Sequence, residues 1–89
     1  MDERILQLFE RMDHERIEVT EQSIWCYFLN GAHIGVHTPS KEHPDLTPII
    51  LMNTQTMHPI ERVKAPKGAI KATILRLAEL GEATCQKTD

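Results

Sequence analysis

Cysteine is scarce: the 89 residues hold two, Cys26 in an apolar alternating run and Cys85 in a polar C-terminal stretch. Two cysteines without close spacing make neither a disulfide framework nor a zinc site, and they suit a reducing compartment. Long hydrophobic runs are also missing. Nothing approaches the roughly 20 apolar residues that a bilayer-spanning helix needs, and Met1-Asp2-Glu3-Arg4 does not lead a basic region into an apolar run as a secretory signal does. A soluble cytoplasmic protein with no membrane partner is expected. There is no glycine-rich phosphate loop, and Ser23 and Ser40 lack a glycine-flanked elbow. The four glycines, Gly31, Gly35, Gly68 and Gly81, are accounted for by a turn, strand packing and helix ends. No catalytic residue, metal site or cofactor is therefore expected, and the chain does not read as an enzyme. Positive charge is not in excess either. Ten Lys and Arg against 13 Asp and Glu leave a formal charge of −3, which argues against general nucleic-acid binding driven by phosphate neutralisation.

What is present is enough for one small domain over 1–82 with a polar, frayed tail over 83–89. A chain of this size buries only about 60–70% of its unfolded surface. Residues 2–13 predict an amphipathic helix, since Ile5, Leu8, Phe9 and Met12 share one helical face. The run Ser23 to His37 reads as two alternating half-strands joined by Asn30-Gly31, the strongest short-range hairpin signal. A two-residue turn would pair Leu29 with Ala32, Tyr27 with Ile34 and Trp25 with Val36 as the core face. Ile24, Cys26, Phe28, His33 and His37 would then lie on the outer face, a half-apolar surface that asks for a cover.

Ile17 and Val19 alternate with Glu18 and offer the start of a strand, although Thr20-Glu21-Gln22 suits a helix cap equally well. Residues 38–46 carry Pro39, Ser40 and Pro44 and predict a loop. The run Ile49-Ile50-Leu51-Met52 predicts a strand within 47–56 that is buried on both faces. Residues 57–64 read as irregular because Pro59 breaks any regular element. A second helix is expected to open at Pro66 and end at Gly81, burying Ile70, Ile74, Leu77 and Ala78. The fold class is α+β: a three-stranded antiparallel sheet with one helix before and one after (αβββα).

Charge is unevenly spread. Residues 1–23 hold seven acids against three arginines, whereas 62–76 hold Arg62, Lys64, Lys67, Lys71 and Arg76 and no acid. Lys64, Lys67, Lys71 and Arg76 are candidate anion or nucleic-acid contacts near a helix start; Glu61 and the acidic first helix would instead neutralise them within the fold or across a dimer. His33, His37 and His43 repeat the histidine spacing of the zinc proteases called metzincins. Ile34, however, stands where that chemistry needs glutamate, and Ser40 where it needs glycine. A strand also separates i and i+4 by roughly 13 Å, too far for one metal.

Three resemblances bear on function. The helix from Pro66 to Leu77 looks like that of small phage and prophage accessory proteins, in which a proline-opened, alanine-rich helix packs on an antiparallel sheet. The element order, with Lys67 and Lys71 on the last helix and Asn30-Gly-Ala-His33 in the hairpin, resembles the double-stranded-RNA-binding domain, although Gly68 replaces a lysine of that family's cluster. Residues 70–82 and the stretch after them resemble the recognition helix and wing of winged-helix regulators. The reading preferred from the sequence is a non-enzymatic interaction or regulatory protein, phage- or mobile-element-encoded by the first resemblance. It would bind another protein or a second copy, as a homodimer, through the outer sheet face. The alternative is a nucleic-acid-binding module using the basic second helix.

Overall fold

The register of the central hairpin decides which side chains become core. In a computed structural model, which describes residues 3–85, Tyr27 pairs with His33, Cys26 with Ile34, Trp25 with Gly35 and Ile24 with Val36. The connection is therefore three residues, Leu29 to Gly31, not two. Gly31 takes φ of 93° while Asn30 keeps a negative φ, the combination of a type I turn closed by a left-handed residue. Asn30 Oδ1 accepts the Ala32 N–H at 3.0 Å and holds the turn. One extra turn residue moves every side chain of one strand to the opposite face relative to its neighbour. Ile24, Cys26 and Phe28, expected on the outer surface, are 1%, 0% and 7% exposed beneath the helices. Trp25 and Tyr27, expected in the core, lie on the other side with His33 and His37.

The elements run α1 (Glu3–Glu10), β1 (His14–Val19), β2 (Ser23–Phe28), β3 (Ala32–His37), β4 (Leu46–Asn53), β5 (Pro59–Pro66), a 3-10 turn (Lys67–Ala69) and α2 (Ile70–Thr84). The strands form one antiparallel meander in chain order. The class is thus α+β with a helix at each end, but the sheet has five strands, not three. The two additions are the edges. β1 carries alternating charge and a bulge between His14 and Arg16. β5 spans a stretch expected to be irregular, and its prolines sit at its first and last positions, where an edge strand tolerates a missing N–H.

Both helices pack on one side of the sheet, α1 over β1 and β2, α2 over β3 to β5. Phe9, Ile34, Leu51, Ile74 and Leu77 are fully buried there, each contributing about 1.5–3 kcal/mol of transfer free energy. Phe9 meets Phe28 edge-to-face at 6.5 Å between centroids. The first helix is shorter than expected, and the second starts at Ile70 and continues through Gly81 to Thr84. Gly81 is not a cap: a methyl group on it would lie 3.0 Å from the Ala32 Cβ and 3.1 Å from Leu51 Cδ1, so its missing side chain lets helix and sheet meet. Cys85, assigned to the polar tail, is 5% exposed and its N–H caps Gly81 O at 2.7 Å. The rest of that tail, 86–89, lies outside the described residues. No helix among the described residues is long and apolar enough to cross a membrane.

Candidate functional site

Among the described residues, no helix covers the second face of the sheet. Its central row runs Glu18, Trp25, Gly35, Ile50, Arg62 from β1 to β5. The neighbouring row runs Arg16, Tyr27, His33, Met52. Pro48 and Lys64 form a pair farther along, beside His37. At about 4.8 Å per strand the face is about 19 Å wide.

Trp25 occupies its centre because Gly35 opposite has no side chain. A Cβ on Gly35 would overlap Cζ3 and Cε3 of the indole and stand 2.6 Å from Cη2, so the ring lies against the β3 backbone and turns its other surface outward. Its Nε1–H donates to Ser23 Oγ at 3.0 Å, and Ser23 Oγ shares a 2.7 Å hydrogen bond with Thr20 Oγ1. His33 and His37 flank the indole at 5.8 and 6.2 Å between centroids. Tyr27 is covered on both sides, stacked on His33 at 4.5 Å and overlaid by the Arg16 guanidinium at 3.8 Å. Arg16 Nε in turn donates to Glu18 Oε1 at 3.0 Å. Trp25, half-buried, is the other large aromatic ring of this face. The apolar cover that the sequence asks for is supplied in part by this self-packing; residues 38–45 contribute no buried side chain.

His33 is 2% exposed and shares a 2.8 Å hydrogen bond between Nδ1 and Thr54 Oγ1. Burial, assisted by the Arg16 charge, holds its pKa below the ordinary histidine value. The folded protein thus keeps His33 neutral where the unfolded chain takes a proton. Its contribution to stability is complete above the unfolded value near about 6.5, and it is lost as pH falls from there toward the lowered folded value. The urea midpoint of the native protein is expected to fall between pH 7.5 and 5.5, and to fall less in His33→Gln; equal slopes in the two proteins would contradict this assignment.

The four basic residues singled out from the sequence do not form one patch. Lys64 lies on the open face with Arg62, beside a shallow apolar depression over Pro48 and Ile50. Arg76 pairs with Glu61 at 2.7 Å on the helix side. Lys67 and Lys71 line a groove between α1 and α2, where Arg4 and Arg11 join them over Ile5, Leu8, Ile70 and Ile74. Farther along the same seam Asp13, Glu79 and Glu82 border a second cleft, with Met12, Leu29, Leu75 and Ala78. Lys71 in the first turn of α2 and Glu82 in its last are the reverse of what the helix dipole favours.

His37 ends β3 exposed and His43 lies in the exposed loop; among the described residues no group of three His, Cys, Asp or Glu could hold a metal ion. Trp25 and Tyr27, expected in the core, and Arg16, Ile50 and Arg62 were not among the site residues that the sequence suggested. A usable signal was present in the glycine that faces the tryptophan in a three-residue hairpin. Compared with known proteins, the chain matches no family model, no curated protein and no solved structure.

Proposed function

We propose that this is a non-enzymatic interaction protein that docks another protein across its open sheet face. The observation that supports the reading is the outward indole of Trp25, seated on Gly35 between Ile50 and the two histidines, with Arg16 at one flank and Arg62 and Lys64 at the other. Tryptophan, tyrosine and arginine grouped in this way have the composition of interface hot spots. Its cations favour a partner segment that is apolar and acidic.

The experiment is cross-linked capture with the native protein and with two variants, Trp25→Ala and the exposed pair Arg62→Glu/Lys64→Glu, each checked for native melting. The proposal expects a partner held by the native protein and lost from both variants. A partner retained by both would reject the face. The second reading, a nucleic-acid module, retains only Lys67 and Lys71, joined by Arg4 and Arg11. It requires oligonucleotide affinity that falls steeply with salt and disappears in Lys67→Glu/Lys71→Glu.

A further inference from the structure

We infer that a second copy of this chain docks along the seam between α1 and α2, antiparallel to the first, as a two-fold dimer. One end of the seam is basic and the other acidic, and both have apolar floors. From Lys67 in the 3-10 turn along α2, the exposed residues Lys67, Lys71, Leu75, Glu79 and Glu82 follow one another at three- and four-residue spacing. Leu75, 41% exposed, stands midway between Lys71 and Glu79.

A two-fold axis through Leu75 brings Lys71 of each copy to Glu79 of the other and pairs the two leucines at the centre. That is the isologous arrangement a closed dimer requires. A parallel arrangement would set like charges together. Among the described residues, Lys67, Lys71, Glu79 and Glu82 form no ion pair inside the fold, so all four are available to a partner copy. The antiparallel pairing also opposes the two helix dipoles, and a charge order that is unfavourable within one helix becomes favourable between two. Leu29, 53% exposed beside the acidic cleft, adds apolar area to the contact. Both open sheet faces point away from this dimer, which makes the assembly bivalent for the partner proposed above.

The test is solution mass by light scattering across protein concentration, for native protein, Lys67→Glu/Lys71→Glu, Glu79→Lys/Glu82→Lys and Arg62→Glu/Lys64→Glu. All the altered side chains are exposed, and unchanged circular dichroism verifies folding. The native chain is expected to move from 10.2 kDa to twice that mass at low salt, with weaker association at high salt. Each seam variant alone is expected to weaken the dimer at least about 30-fold, while an equimolar mixture of the two recovers it, because every reversed charge then meets its opposite. The open-face variant is expected to dimerise like the native chain. A native monomer at every concentration would overturn the inference, as would a dimer that survives both seam reversals or a mixture that remains monomeric. Loss of the dimer in Arg62→Glu/Lys64→Glu alone would place the contact on the sheet face and would equally overturn it.

Discussion

Phe9→Ala is expected to cost about 3–5 kcal/mol, a large share of the roughly 5–13 kcal/mol available to a domain of this length. Phe9 is fully buried and anchors α1 on the sheet, meeting the Phe28 ring edge-to-face. The helix has eight residues, and helices shorter than about 12–15 residues do not persist in water without packing. Truncating Phe9 therefore removes the anchor as well as the methylene contacts. A fall in the melting temperature of at least about 12 °C is expected, together with early loss of amide protection across α1. Met57→Ala, in the β4–β5 connection and 57% exposed, serves as the control and should melt almost as the native protein does. Equal melting of the two variants would contradict the packing described.

Gly35→Val is expected to have the second largest effect, because the added side chain occupies space already filled by the Trp25 indole. Overpacking of this kind costs about 1–3 kcal/mol, and valine's strand preference recovers only part of it. The spectroscopic change should be larger than the thermodynamic one. Trp25 is the single tryptophan of the chain, so its displacement should abolish the tryptophan bands of the near-ultraviolet dichroism and shift the emission to the red. Binding of the partner should fail with it, since the outward ring surface depends on the ring's seat. An unaltered Trp25 spectrum in a stable Gly35→Val protein would mean that the indole does not lie on Gly35.

Much of the architecture was legible in the sequence, and the failures have identifiable causes. Ile5 and Phe9 on one helical face, the alternation through Ser23–Phe28 and Ala32–His37, and the Ile74 to Leu77 stripe all correspond to real elements. The hairpin register did not, because Asn30-Gly31 serves a two-residue turn and a three-residue turn equally well by composition. With Ile24, Cys26 and Phe28 on one face and Trp25 and Tyr27 on the other, β2 is apolar on both sides, so its own pattern could not choose. β3 could: Ala32, Ile34 and Val36 are apolar, whereas His33, Gly35 and His37 are not, and Gly35 is the only residue that leaves room for a flat indole.

The edge strands were obscured by chemistry that suits an edge. Alternating charge in His14–Val19 and proline at both ends of Pro59–Pro66 discourage pairing with other chains; the charges left only Ile17 and Val19 to offer a strand start, and Pro59 made its stretch read as irregular. The basic residues near the second helix looked like one cluster because sequence proximity hides the sidedness of a strand. Lys64, in β5, faces away from the helices, while Lys67 and Lys71 border the groove between them.

The placement of β2, with Cys26 inward and Trp25 outward, is the claim on which the candidate site depends, and thiol labelling tests it most directly. In a Cys85→Ser background Cys26 is the only thiol. Fully buried, with its pKa pushed up to about 12 by that burial, it should label only as fast as the whole domain unfolds. Modification of the native protein at the rate of an exposed thiol would put Cys26 on the open face, return Trp25 to the core and contradict the account.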